Sequence, residues 1–538
     1  MKRTKLTILF PLLALAMTAC LDQDMKDRLS EEETYNNATN IYVNAVATLY
    51  NYIGGSANSE GLQGTGRGVY DYNTLTTDEA MIPIRGGDWY DGGIWSNMYT
   101  HRWSASDVSL YDTWKYLYKV VMLSNKSIAM IGKYSHLLTD GQKEAYLAEV
   151  RAIRAMFYYY IMDMYGRVPL VTRYDIPQTE VRQSERSEVF RFIVEELQET
   201  AGTLADSPSN KEGNYYGRIT APVADFLLAK LTLNAEIYSD DNWTDGTRPD
   251  GKDIFFDVEG QRMNAWEACT WYCDKLEAAG YTLEPDYAAN FAVNNENSSE
   301  NIFTIPMDKN LYANQFQYLF RSIHYNHGGA FGWAAENGTS ATVSTVKAYG
   351  YGTEETDSRF QTNFYAGKVT VDGKDVMLDN GEPLVYMPLE VKPDLTDSPY
   401  MKTAGARMAK YEVDRTAYAD GCLPNNDIVL FRYADVLLMK AEAKIRNGED
   451  GSAELNAVRD RAGMPHRAAT LDNVLEERLL ELMWEGWRRQ DLIRFGRFHQ
   501  AYDQRTPLED EADGHTTVFP IPHKSIELNG NLKQHPGY

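Results

Sequence analysis

Apolar residues recur every three to four positions over most of this chain, in stretches separated by short polar turns, and that period confines the body to packed helices. Residues 107–131 carry Trp114, Leu117, Tyr118, Val121 and Met122 at helical spacing. Residues 139–165 follow, with Thr139 and Asp140 as caps and Gly166 as a stop. Further helices are predicted over 187–204, 221–238 and 264–279, the last ended by Gly280. From Phe431 onward, Ala434, Leu437, Leu438, Ala441 and Ile445 share one face up to Gly448, and a helix over 452–462 keeps Leu455, Val458 and Arg459 in phase. The strongest helical stretch is 472–495, whose stripe is Leu475, Leu479, Leu482, Met483 and Gly486. Its charges are dense: Glu476, Glu477, Arg478, Glu481, Glu485, Arg488, Arg489, Asp491 and Arg494. Such a stretch reads as a surface helix, with Glu485 and Arg489 placed for an i,i+4 pair.

Helices of this length joined by short turns resemble tetratricopeptide-type units, although no strict 34-residue self-match is present. Residues 285–430 differ. They are rich in Gly, Asn, Thr, Asp and Pro, with short strand-like pieces at 301–306 and 369–376. The expected fold is mostly α: a tetratricopeptide-like helical scaffold carrying a loop-rich, small-sheet region that binds the ligand.

The N-terminus carries a different signal. Lys2, Arg3 and Lys5 precede an apolar run over 6–17, then come Thr18, Ala19 and Cys20. The run is shorter than the roughly 20 residues a membrane span needs. This is the layout of a bacterial signal peptide over 1–19 that ends in lipidation of Cys20. Met17 departs from the usual Leu three residues before the cysteine. A polar tether over 20–30 then leads to helical parts at 31–284 and 431–538 that flank the 285–430 region, the body forming one compact unit. The net charge of −24 excludes nucleic acid as a partner, since no basic face is present to displace counterions. Cys269, Cys273 and Cys422 are odd in number and irregularly spaced, so they read as buried free thiols.

Catalytic and metal signatures are missing. There is no Gly-x-Ser-x-Gly, His-Glu-x-x-His or phosphate loop. Gly64-Thr65-Gly66-Arg67-Gly68 lacks the spacing of a dinucleotide site, and His324 with His327 has no third ligand in register. No cofactor is expected. In the acidic turn Asp240–Gly246, Trp243 occupies a ligand position of the EF-hand pattern, leaving a structural calcium as the alternative to a plain turn.

The 37 tyrosines and 10 tryptophans against 18 phenylalanines suit wet recognition surfaces. Two segments fit a sugar, whose flat C–H faces call for aromatic platforms ringed by polar groups. One is 85–95, where Arg85, Trp89, Tyr90 and Trp95 stand among four glycines; the other is 329–338, with Trp333 and Asn337.

The motifs in the C-terminal part add a family resemblance. Phe431-Arg432-Tyr433-Ala434-Asp435 through Ala443, Leu455 to Gly463, and Glu476-Glu477-Arg478 through Arg494-Phe495-Gly496 resemble, in order, the signature segments of the SusD/RagB family. Phe519-Pro520-Ile521-Pro522 through Gly537-Tyr538 is similar to its terminus. Arg151 to Ala155, Tyr165 to Leu170, Thr77-Asp78-Glu79 and Asp357-Ser358-Arg359 also fit, so the likeness runs from Cys20 to Tyr538. The resemblance implies a non-enzymatic, lipid-anchored, surface-exposed outer-membrane protein for nutrient uptake. It would bind oligosaccharide as the lid of a TonB-dependent barrel transporter. It makes Trp333 the match to the family's sugar-stacking loop. The family's first platform would fall just after Glu79, where Ile82-Pro83-Ile84 stands, so Trp89 or Trp95 replaces it or the ligand differs. A receptor for a non-sugar ligand such as peptide, an adhesive lipoprotein, and a two-carboxylate glycan-cleaving enzyme are the alternatives.

Overall fold

A computed structural model describes residues 29–538; the signal segment, Cys20 and nearly all of the tether expected from the sequence lie outside the described residues. The long helices pack in succession. α1 (Val108–Lys133) lies against α2 (Asp140–Tyr165), α2 against α3 (Arg186–Ala201), α3 against α4 (Ala221–Leu233) and α4 against α5 (Ala265–Ala278). α2 starts where the sequence places it. The Thr139 hydroxyl accepts the Gln142 N–H, and the Gln142 side chain accepts the Thr139 N–H. The expected helix 221–238 is interrupted at Asn234, which turns its side chain back onto the Lys230 carbonyl (2.9 Å), and one further turn follows. Among the described residues no helix is long and apolar enough to cross a membrane.

Strands are few and short, falling into seven two-stranded ladders among the described residues. The central pair is β1 (Asn301–Ile305) antiparallel to β2 (Ile428–Arg432), buried throughout, with Phe431 opposite Phe303. Phe431 and Arg432 therefore end a strand rather than open a helix, because β1 supplies their backbone partners. The helix α6 (Tyr433–Asn447) begins one residue later and stops at Gly448. It packs on α5, on α7 (Ser452–Arg461) and on α8 (Leu471–Leu482). The expected strand 369–376 folds back on itself at Asp372-Gly373, both with positive φ, so Thr370–Val371 pairs with Lys374–Asp375. One hydrophobic core runs from Tyr35 to Leu532 and takes in both helical parts and the β1–β2 pair.

The 472–495 stretch departs most from expectation. α8 ends at Leu482. Met483 is extended, Trp484 and Gly486 take positive φ, and α9 resumes at Arg488–Arg494. Nor is it a surface helix: of its ten charged residues all but Asp472 and Glu476 are buried. Glu485 does not pair with Arg489. It accepts from Arg432 (2.7 Å) and Lys410 (2.5 Å), while Arg489 reaches Asp163 on α2 (2.9 Å). Arg432 also meets Glu300 (2.6 Å) and Glu481 (2.5 Å), and Glu481 is shared with Arg461 and Arg359. Arg359 further binds Asp357 and Glu477, both at 2.7 Å. Burial pushes the Glu481 carboxyl up, but Arg461, Arg432 and Arg359 outweigh it and hold it well below the usual range. Glu477, Glu481 and Glu485 are spaced four residues apart, so they point to one side, and Arg359, Arg432 and Arg461 converge on them there.

Removing one member leaves its partners charged and unpaired in a dry interior. Arg432→Met should cost on the order of 3–5 kcal/mol, read as a lowered midpoint in urea unfolding. Glu79 behaves oppositely. Burial, only partly offset by the Trp484 N–H (2.5 Å) and Arg488, pushes its carboxyl up to about 8. An unfolded glutamic acid has already lost its proton by then, so the folded state loses stability as pH rises from the ordinary carboxylate value to about 8. Glu79→Gln keeps the acceptor and removes the proton. It should raise Tm at pH 8.5 relative to the parent and change it little at pH 5, and equal shifts at both pH values would refute this.

Candidate functional site

A cleft of about 630 Å³ opens where loops of the N-terminal part meet the loop-rich region. Asn58, Gly66 and Arg67 form one wall; Asp88, Trp89, Asp91 and Trp95 form the next; Gln317, Phe320, Arg321 and Tyr325 face them, with Ala335 and Glu336 at the rim. A second hollow, of about 400 Å³ between α1 and the C-terminal tail, is lined mainly by Tyr111, Trp114, Tyr118, Met122, Val171 and Leu528. Lys115, Lys119, Gln178, Ser525 and Asn529 also line it, but its surface is mainly apolar, whereas that of the first is mainly polar.

Each wall is tied down by side chains. The short helix Ile94–Tyr99 carries Trp95, whose indole N–H donates to Asp91 (2.9 Å). Trp95 is almost wholly buried, with Arg67 and Arg321 each within 6 Å of its ring (5.6 and 5.7 Å). Trp89 is half-buried and meets Trp95 edge-on at 5.9 Å. Its indole N–H donates to the Glu336 carbonyl (3.0 Å). Gly338 permits this approach, since a Cβ there would lie 2.6 Å from the Trp89 ring. The Gly66 N–H donates to the Gln317 side chain (3.1 Å), so the glycine loop at 64–68 serves as a wall of the cleft.

The charges of the cleft are paired. Arg321 grips Asp71 through both terminal nitrogens (2.7 and 2.8 Å), and Arg67 binds Asp91 (2.8 Å). Asp88 accepts from Lys402 and from the Tyr325 hydroxyl, both at 2.6 Å. Those two donors hold its carboxyl below the ordinary value, while burial and Asp88 together push the Tyr325 hydroxyl up to about 12. Tyr325 is 38% exposed, so its ring remains open to a ligand.

Of the residues singled out from the sequence, the structure brings Trp89 and Trp95 together in the cleft. The others lie elsewhere. Tyr90 stands in solvent beside it. Arg85 is buried and donates to the Met401 and Ala404 carbonyls (2.8 and 3.0 Å) and the Ser340 hydroxyl (2.9 Å), so it straps loops together. Asn337 is fully buried with φ +58°, its N–H bonded to the Ile323 carbonyl. Trp333 packs in a small apolar cluster with Ile323, Ala335 and Phe331. Gly421 lies against its ring so closely that a Cβ would be 2.9 Å away. It presents no free face. The residues the sequence reading passed over are Arg67, Phe320, Arg321, Tyr325 and Glu336. The available signal was the aromatic run Phe316, Tyr318, Phe320 and Tyr325 inside an otherwise loop-forming region.

Trp103, outside the cleft, packs on Phe519 and donates to the Tyr538 hydroxyl (2.7 Å). In the Asp240–Gly246 turn, Asp241 accepts from the Ser187 N–H and hydroxyl and Asp245 from Thr247, with Trp243 turned inward. Among the described residues, no cluster of three or more His, Cys, Asp or Glu side chains could hold a metal. Cys269, Cys273 and Cys422 are free and buried.

Comparison with known proteins places this geometry. Residues 274–538 match the family model described as the SusD family. The starch-binding protein SusD of Bacteroides thetaiotaomicron is 23% identical over 89% of this chain and 87% of its own length. A SusD-like protein of Bacteroides ovatus is 25% identical over 90% of this chain and 81% of its own. Among solved structures, surface glycan-binding protein A from Bacteroides thetaiotaomicron, in complex with laminarihexaose, superposes with a TM-score of 0.69. That likeness spans 92% of this chain and 99% of that one at 20% identity, and it speaks to the fold. The ordered C-terminal motifs, the buried charge network they build and the shared helical fold agree with these matches: the chain belongs to the SusD/RagB family.

Proposed function

We propose that this protein is a glycan receptor that binds oligosaccharide in the Trp89–Tyr325 cleft and delivers it to a TonB-dependent outer-membrane transporter. The observation that carries the reading is the pairing of ring faces with hydrogen-bonding groups in one open cleft. Trp89, Phe320 and Tyr325 offer apolar surface, and Asn58, Gln317, Arg67 and Glu336 surround it with donors and acceptors. Family relatives named for starch and laminarin oligosaccharide support a sugar over a peptide. Binding is favoured over cleavage, because two of the three lining carboxylates, Asp88 and Asp91, are committed to Lys402 and Arg67. A general acid needs a proton, and Lys402 and Tyr325 hold the Asp88 carboxyl below its ordinary value. Cys20, after its basic and apolar leader, supplies the lipid anchor that holds the receptor at the cell surface.

Two tryptophan variants test the site. Trp89→Ala should weaken binding of whichever polysaccharide retards the protein in affinity electrophoresis by about 5- to 150-fold. That range takes ~1–3 kcal/mol for one lost stack. Its Tm should fall far less than that of Trp333→Ala, which opens a cavity costing about 3–5 kcal/mol. Full binding by Trp89→Ala, or selective loss of binding by a stably folded Trp333→Ala, would move the site to the 329–338 loop. Cys20→Ala should shift the protein from the membrane pellet to the soluble fraction with its Tm unchanged; retention in the pellet after a high-salt wash, in cells lacking the transporter, would refute lipid anchoring.

A further inference from the structure

Every cationic side chain that reaches the cleft already has a carboxylate. Arg321 spends both terminal nitrogens on Asp71, which is fully buried, and its Nε on the Thr339 hydroxyl (3.1 Å). Arg67 is held by Asp91, and Lys402 by Asp88. Glu336 is different: it is exposed at the rim, and its carboxylate has no ion pair or hydrogen bond among the described residues.

The cleft also continues. A polar hollow of about 490 Å³ lies beyond the Arg67–Asp91 pair and shares Asn58, Arg67 and Asp91 with it. That hollow adds Asn97, Ser106 and Ser109, together with Asp107 and Asp112, and no further cation. Among the described residues the lining of the two hollows holds two guanidiniums, both engaged, and five carboxylates, of which Asp88, Asp91 and Asp112 are paired with Lys402, Arg67 and Lys115, while Asp107 and Glu336 have no cation. A uronate or sulfate ester on a bound sugar would have to leave water for a site with no unengaged cation among the described residues to receive it. It would also meet the lone Glu336 charge and the field of a chain whose net charge is −24.

We infer that the ligand is a glycan without acidic groups, and that Glu336 supplies part of the repulsion that enforces this. The inference rests on the receptor reading above. A neutral sugar loses nothing here, because hydroxyls can accept from Arg67 and donate to carboxylates that are already paired.

The test uses the full chain and a matched pair of polymers: a neutral polysaccharide that retards the protein in affinity electrophoresis, and the same polymer oxidised at C6 to the uronate. The neutral form should bind at least tenfold more tightly at low salt. The gap should narrow in 0.5 M NaCl, as charge repulsion is screened. Glu336→Gln should narrow the ratio of neutral to uronate affinity by about threefold, whatever it does to the neutral form alone, the size of one like-charge contact at ~6 Å in a water-like dielectric. Equal or tighter binding of the uronate overturns the inference while leaving the receptor standing. So does a gap that neither salt nor Glu336→Gln alters, since that is a steric loss of the C6 hydroxyl. If no polysaccharide in a broad neutral and acidic panel retards the protein, the receptor reading itself fails, and this inference with it.

Discussion

Arg432 leaves the end of β2 and enters a pocket of three carboxylates, Glu300, Glu481 and Glu485, with no exposure to water. Such a cluster adds little net stability, because desolvation offsets the Coulombic gain, yet it is costly to break. Its effect here is geometric. Glu481, near the end of α8, and Glu485, just past the break, both face Arg432, and the chain between them turns Trp484 inward. The Trp484 N–H then meets Glu79, and its indole N–H meets the Asn363 carbonyl (3.1 Å). From Glu79 the chain runs into Ala80–Met81, which pairs with Ser340–Ala341, and then into Arg85. The ionic cluster thus fixes a chain of contacts that ends at the wall of the cleft.

Arg85 passes the constraint onward. It draws together the carbonyls of Met401 and Ala404, on a loop, and the hydroxyl of Ser340, on the short strand that pairs with Ala80–Met81. Lys402, between two of those points, is thereby placed to bind Asp88, and Asp88 in turn orients Tyr325. A residue expected to touch the ligand instead positions residues that line the site. Its burial without a carboxylate partner shows in its chemistry: burial, with Arg407 nearby, pulls the Arg85 guanidinium well below its ordinary value.

Periodicity made the helical scaffold legible. Thr139, Asn264, Gly166 and Gly448 act as helix caps, and the lengths of α1, α2 and α5 follow from local signals. What periodicity could not convey was partnership. Phe431 and Arg432 have helical phase with the residues after them, but β1 lies 130 residues away in sequence and claims their backbone. The charges of 472–495 have the density of a solvated face, and only their distant partners Arg359, Lys410 and Arg432 reveal them as interior. The site was half legible for the same reason. Trp89 and Trp95 stand in a glycine-rich loop whose composition marks it, whereas Arg67 and Tyr325 matter through neighbours that the fold alone brings near.

The fate of Trp333 shows what a motif match leaves open. A tryptophan serves as a platform only if one face of its ring is uncovered, and coverage is decided by other segments. Gly421, from a turn nearly ninety residues downstream, closes on Trp333, and Phe331 tilts against it at 5.4 Å. At Trp89 the converse holds: Gly338 clears room for one side of the indole to settle, the ring N–H is satisfied by the Glu336 carbonyl, and the half-buried ring remains in the cleft lining. The same loop, 329–338, therefore supplies the buried tryptophan and, through Glu336 and Gly338, the seat of the exposed one. A platform requires a free ring face at the cleft, and which of the two loops can offer one depends on what packs against each ring.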